Sequence, residues 1–512
     1  MVLTGNDPAW QALLVALLAV PAGGAALVAL LPAARDRLAR IIATIFAAIT
    51  FVLSIAPVFA ERDHGWSGYG DRATTPPVPW INLDLPWVPA LGLRFHLGVD
   101  GVSYPLVVLT GLLTLLCCAY TVRKVPEGGS GRTLSALLLI LEVGVLGTFL
   151  ALDLILFFVF FEVVLLPMYA VIAGWGGPER RAAARKFVLY TLFGSVLLLL
   201  GVIVVVTGTG TGDLVALTGA GELTRTTQCV VFALLAVAFA VKAPLWPLHT
   251  WLPDAHTEAP TVGSVILAGV LLKMGTYGLI RVGVGVAPLG AAWAAPALGI
   301  LAVIAILAGS LICLRQRELK RLIAYSSVGH MGFVLLGIAT LTMIGMQAAL
   351  LGNVAHGLIT GLLFFLAGTI KDRAGTGSLD RLGGLRESAP RLAGLLGFAA
   401  IASLGLPGLA GFWGEAFAVV AAVRRGGPLW LTLAVLAAIG GALTAAYFLR
   451  LLRRLTHGPA TPAVQALRPS IAGAEWFAWT PLILLTLALG VIPALVLAET
   501  SLPLTTLLGG HP

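Results

Sequence analysis

Apolar runs of roughly twenty residues recur from one end of the chain to the other, separated by short turns that carry most of the arginines. A helix rises 1.5 Å per residue, so about 20 apolar residues cross the hydrocarbon of a bilayer. Runs of that length predict about fourteen spans, at 8–31, 38–60, 102–122, 133–151, 153–174, 187–207, 228–250, 260–281, 292–313, 322–342, 345–369, 391–422, 428–450 and 474–498. Membrane β-strands would alternate apolar and polar positions over about ten residues instead, and these runs do not alternate. The pattern is that of an all-α polytopic membrane protein. The first run follows Asp7 with no basic residue before it and is too long for a secretory signal, so it is expected to stay as a span.

Two of the runs contain helix breakers. Span 7 holds Lys242-Ala243-Pro244 and then Pro247, and span 12 holds Gly405-Leu406-Pro407-Gly408. Proline in a helix interior costs about 3 kcal/mol and frees backbone carbonyls. Breaks in corresponding parts of two halves point to a transport site. Spans 4–8 and 9–13 then read as two five-helix units, and five spans per unit make the second inverted relative to the first. On this reading residues 1–132 are three helices with an outer stretch at 61–101. Residues 133–281 and 282–452 are the two units, and 453–512 are a last helix and tail.

Composition agrees. The chain is 59% hydrophobic and 11% charged, where a soluble domain carries about 25% charged residues. That is too little charge to cover a water-facing surface. A net charge of +9 might suggest nucleic acid, but the basic residues report orientation instead. With the N-terminus outside, 23 of the 32 lysines and arginines fall in inside turns and 7 in outside segments, Arg281 among them. The other 2, Lys242 and Lys273, lie within spans. Such a bias puts both termini on the outer side. Cys117, Cys118, Cys229 and Cys313 lie in or beside apolar runs without metal-ligand spacing and read as packing residues. The segment from His249 to Glu258 fits no zinc or two-metal pattern either. No cofactor or metal is expected in this chain.

The informative residues are charges inside spans. An ionised group at the bilayer centre costs about 2.5–3.5 kcal/mol on insertion scales. Glu142, Glu162, Lys242, Lys273, His330, His356 and Glu415 all fall in or near span centres. Unpaired, seven such groups would cost on the order of 20 kcal/mol, so they must face the bundle interior with partners or water. Static readings exist: Glu162 and Lys242 as a buried ion pair, the histidines as satisfied core residues, Glu142 as a bridge between helices. Lys273 has no acid of its own nearby in sequence, and Glu415 sits beside the Pro407 break; neither fits packing alone. Together these residues are titratable stations on successive helices. Two charges about 8 Å apart at an effective dielectric of 20 interact by about 2 kcal/mol. Moving a partner can therefore switch whether a buried lysine holds its proton. Such an element has no catalytic site of its own.

The stretches carrying these residues also resemble a known family. KAPLWPLHTWLPDAHTEAP at 242–260, LLKMGTYG at 271–278, FFEVVLLPMY at 160–169, LKRLIAYSSVGHMG at 319–332, GFWGE at 411–415 and DGVS at 100–103 are similar to the antiporter-like membrane subunits of bacterial respiratory complex I. Relatives of L-like and N-like type, and the multisubunit sodium/proton antiporters, usually place lysine where this chain has Glu415. The resemblance implies proton translocation in the bacterial inner membrane, with Glu162 and Lys242 as the ion pair of a first half-channel. It implies Lys273 and His330 as a central relay and Glu415 as the terminal acid, with Glu142, His356, His249 and Lys320 as possible further stations. Flavin, Fe–S clusters and quinone would belong to other subunits, and the partners would be the L-like and N-like members. A sodium/proton antiporter or hydrogenase-complex subunit of the same fold is the main alternative. A stand-alone carrier and a passive scaffold are the others.

Overall fold

The computed structural model describes residues 7–60, 79–89, 92–218 and 223–508. Residues 61–78 and 90–91 of the outer stretch, with Arg62 and Arg72, lie outside the described residues.

Thirteen described helices are long and apolar enough to cross a membrane. The run predicted at 391–422 is different: it forms two helices, Pro390–Ser403 and Ala410–Arg425, joined through 404–409. Gly405 and Gly408 there have φ of +80° and +91°, the left-handed region that favours glycine. The other predicted break is longer than expected. Helix Arg225–Lys242 stops at the lysine and the chain resumes as Trp251–Glu258, so the interrupted segment runs past 250. A third interruption was not anticipated. Span 5 divides at Val164 into Leu154–Val163 and Leu165–Trp175, because Pro167 offers no N–H and its ring crowds the carbonyl four residues earlier.

The bundle is built around two helices. Thr261–Val284, which carries Lys273, is wholly buried, and Met343–Ala374, which carries His356, nearly so. A helix apolar all round belongs in a core, and both are laced with glycines where neighbours approach closely. A Cβ on Gly357 would come within 2.9 Å of the Gly269 carbonyl oxygen, so the two helices touch backbone to backbone there. Thr261–Val284 also contains two π-helical turns, Leu267–Leu271 and Leu279–Val284, on either side of the Lys273 segment. Outward faces such as Leu189, Leu192, Phe193 and Val196 are exposed leucine, phenylalanine and valine, as a lipid-facing surface requires.

Polar contacts between helix ends sort into two faces, as alternating spans demand. On one face Lys124 meets Asp372, Lys186 and Arg321 meet Asp254, Arg373 meets Glu475 and Arg454 meets Asp380. All of these lie in or beside segments predicted to be inside. On the other face stands an antiparallel hairpin, β1 (Ile81–Val88) and β2 (Leu93–Val99), which the helical pattern did not reveal. Arg94 holds Asp84 through two contacts of 2.6 Å. His96 spans Asn82 and Asp213, 2.7 Å from each, and the Leu152 N–H donates to the His96 carbonyl. The hairpin is thereby clamped over the ends of spans 4–6 on this face. Asp84, His96 and Asp213 lie close enough to resemble a metal cluster, but these contacts already engage their donor atoms.

Asp213 is the anchor of that clamp. Burial pushes its carboxyl up, but the hydrogen bond with His96 and those from the Ala216 and Val215 N–H groups outweigh it and hold it below its ordinary value. A lowered folded value means stabilisation present above about pH 4 and lost as pH falls through the folded value. At pH 7 the Asp213→Asn variant should loosen the hairpin by about 1–3 kcal/mol, read as faster amide exchange over 79–99. Exchange at the wild-type rate would show that Asp213 does not anchor the hairpin.

Candidate functional site

The helix Arg225–Lys242 ends on its lysine because Pro244 cannot continue it, and the freed carbonyls are met locally. The Trp251 indole N–H donates to the Val241 carbonyl at 2.9 Å, and the Leu245 N–H to the Ala240 carbonyl at 2.9 Å. The Lys242 ammonium itself has no hydrogen-bond partner among the described residues and lies 4.9 Å from the centre of the Phe161 ring. Glu162 instead accepts a hydrogen bond from the Ser195 hydroxyl. The expected ion pair is therefore not a contact pair. The two residues act on each other across a gap, because the Phe161 ring holds the ammonium and Ser195 holds the carboxylate.

Lys273 is placed differently. Its ammonium donates to the Ala268 carbonyl at 2.5 Å, within the π-helical turn, and lies 2.6 Å from His356 Nδ1. The second lysine thus has a titratable partner, supplied by a histidine 83 positions away. The His356 ring stands 5.8 Å from the His330 ring, centre to centre and nearly perpendicular. His330 Nδ1 is 2.8 Å from Glu415 Oε1, and Nε2 is 3.0 Å from the Ser403 hydroxyl. His330 consequently touches both halves of the broken helix, Ser403 closing the first and Glu415 lying in the second. A cavity of about 30 Å³ opens between His330, His356, Ser403 and Glu415, more than the roughly 10–15 Å³ that one water requires. Lys273, His356, His330 and Glu415 form a row across the bundle, with direct contacts at its two ends and the two histidine rings side by side in the middle. It leads from the central helix to the second break.

The remaining candidates fall at the margins of this row. Lys320 donates to the Ala259 carbonyl at 2.8 Å, placing a cation at the C-terminus of helix Trp251–Glu258, where the helix dipole favours it. His249 packs its ring 6.2 Å from Tyr325. Both carboxylate oxygens of Glu142 are buried without a partner among the described residues. The list of candidates omitted His256. It is fully buried, stacks on Phe364 at 4.5 Å, and is acted on electrostatically by both Lys320 and Lys273. Ser195 and Ser403 were also missed. The only signal for Ser403 is a polar residue immediately before the Gly-Leu-Pro-Gly break.

Residues 151–441 match the family described as NADH:quinone oxidoreductase/Mrp antiporter, transmembrane. NADH-quinone oxidoreductase subunit M of Rhodobacter capsulatus is 38% identical over 90% of this chain and 89% of its own length. The chain belongs to this family. Within it, NAD(P)H-quinone oxidoreductase chain 4 1 of Synechococcus sp. is 44% identical, over 74% of this chain and 72% of that one. A chain of respiratory complex I from Thermus thermophilus, solved with bound NADH, superposes with a TM-score of 0.83 at 30% identity, covering 97% of this chain and 99% of that one. The subunit M and chain 4 relatives are the branch of the family that Glu415 pointed to.

The site depends on close backbone contact between the helices of Lys242 and Lys273. A Cβ on Gly275 would sit 2.8 Å from the Phe239 carbonyl oxygen and 2.8 Å from the Ala243 nitrogen. Both neighbours are backbone atoms and cannot turn aside. Gly275→Ala should therefore cost about 1–3 kcal/mol as an overpacked contact and lower the thermal midpoint of the assembled complex. An unchanged midpoint would mean that the contact is looser than it stands here.

Proposed function

We propose that this chain is a proton-translocating membrane-arm subunit of a respiratory NADH:quinone oxidoreductase, and that the row Lys273–His356–His330–Glu415 carries the proton laterally through the membrane interior. The observation that supports this most directly is the row itself. Four titratable side chains from four separate helical elements stand in sequence, and a cavity lies between the last two of them at the second break. Static packing has no use for such a row, since each buried ionisable group costs a few kcal/mol.

Protons would enter from the inside near Lys320 and His256 and by way of Glu162 and Lys242, then reach Lys273. Separation of Glu162 from Lys242 leaves that pair free to close or open, and the approach of a carboxylate to a buried ammonium changes its hold on the proton. Spans 4–8 and 9–13 would be the two inverted half-channels, each centred on its broken helix. His356 moves from a possible station to the link between Lys273 and His330. The chain would sit in a bacterial inner membrane with both termini outside, between L-like and N-like members of the same family. Flavin, Fe–S clusters and quinone would reside in other subunits, whose chemistry would drive each proton against about 2.3 kcal/mol per 100 mV.

In the assembled complex in membrane vesicles, Lys273→Ala and His356→Ala should each cause a sharp loss of NADH-driven proton pumping. Unchanged pumping in assembled Lys273→Ala would make the row structural. A pumping rate that follows sodium concentration would move the reading to a sodium/proton exchanger of the same fold.

A further inference from the structure

Lys273, Tyr277 and Arg281 are spaced four residues apart and so share one face of Thr261–Val284. They form a line from the central row toward the outer end of the helix. The charge count placed Arg281 in an outside segment. It is instead buried inside the span and paired with Asp100, which opens span 3 and is itself buried. Two directions lead away from Lys273: sideways to His356, which its Nζ contacts, and along this face to Tyr277 and Arg281, with which it makes no hydrogen bond among the described residues.

The two routes differ in their hydrogen bonding. Sideways, each station can both take and give a proton, and a cavity lies beside the last two. Along the helix, Arg281 Nε donates to the Tyr277 hydroxyl at 3.4 Å, and that hydroxyl donates to the Phe149 carbonyl at 3.1 Å. The chain ends on a backbone carbonyl, which passes no proton on. The guanidinium donates to Asp100 Oδ2, while Asp100 Oδ1 accepts the Val102 and Ser103 N–H groups, each at 3.0 Å. A guanidinium is not deprotonated in proteins, so it cannot act as a station. The Phe149 ring, edge-on to Tyr277 at 5.1 Å, fills the remaining space.

We propose that Asp100, Arg281 and Tyr277 are a proton-tight plug that closes the outer end of this helix, so that a proton leaves Lys273 only sideways toward Glu415. Closure rests on this saturation: each donor and acceptor of the cluster is already engaged by its neighbours or by backbone. Without such a closure, the central row would short-circuit the gradient that it helps to build. The proposal rests on the row being a proton path.

The test uses the assembled complex in membrane vesicles. Passive proton conductance is read from the decay of an imposed pH gradient, with NADH oxidation and pumping measured alongside. Arg281→His puts a group that can take and give a proton in place of one that cannot. It should raise passive conductance on the order of tenfold, the factor expected when a unit charge about 10 Å from the path is removed at an effective dielectric of 20. NADH oxidation should continue while the gradient it sustains falls. Assembled Arg281→His vesicles as tight as wild type overturn the plug. Should that variant fail to assemble, Arg281→His combined with Asp100→Asn still places a titratable ring there, leaves no carboxylate unpaired and carries the same direction of change. Lys273→Ala separates the two ideas: lost pumping there, with tight Arg281→His, overturns the plug alone. Unchanged pumping in Lys273→Ala removes the path that the plug would guard.

Discussion

Hydrocarbon supplies no hydrogen-bond partner, so each polar group that this chain carries among its spans must be met inside the protein or line a cavity. Lys273 is the sharpest case. Its ammonium lies in a helix with no exposed surface and finds its partners in the Ala268 carbonyl and His356. The position of Met343–Ala374 relative to Thr261–Val284 follows from that need. So does their close approach at Gly269 and Gly357, since a bulkier residue at Gly357 would press on the Gly269 carbonyl and hold the two helices apart. The π-helical turns on both sides of Lys273 belong to the same picture, because a π turn redirects backbone carbonyls and side chains that a straight α-helix would hold in register.

The broken helices meet the same constraint from the opposite direction. A proline or glycine inside a span releases backbone groups, and these must be met where the break occurs. At the first break the Trp251 indole takes the Val241 carbonyl. At the second, the gap lets His330 reach Ser403 and Glu415 at once. A continuous helix over 391–422 would leave no opening between those two residues for a histidine from another helix. The break is thus what turns a partly buried acid into the end of a row.

The acid of each half is held differently. Lys242 and Glu162 are kept apart by an aromatic ring and a serine, whereas His330 and Glu415 are in direct contact. The separated pair lies outside the row, and the contact pair closes its far end. The outer end of the central helix is different again: Arg281, Asp100 and Tyr277 have their hydrogen bonds directed at one another and at backbone. One helix therefore carries a titratable lysine at its middle and a permanently charged, saturated pair at its end.

The run lengths of apolar residues determined the spans, and the placement of arginines determined which turns share a face. Proline and glycine determined the breaks in spans 7 and 12. These features depend on local chemistry: the cost of polar groups in lipid, the missing N–H of proline, the left-handed freedom of glycine. The identities of Glu162, Lys242, Lys273, His330 and Glu415 were legible for the same reason, since a charge in an apolar run stands out. What the tertiary structure decided is which of them meet. It separated Glu162 from Lys242, set the His356 ring beside that of His330, stacked His256 on Phe364 and drew Arg281 out of an outside segment onto Asp100. It also built a hairpin from 81–99, where short strands gain stability only by clamping onto the helix ends beneath them. Each of these depends on how far a helix is rotated and which rotamer its neighbours permit. Those quantities are set by contacts between residues dozens to hundreds of positions apart, and no local pattern carries them.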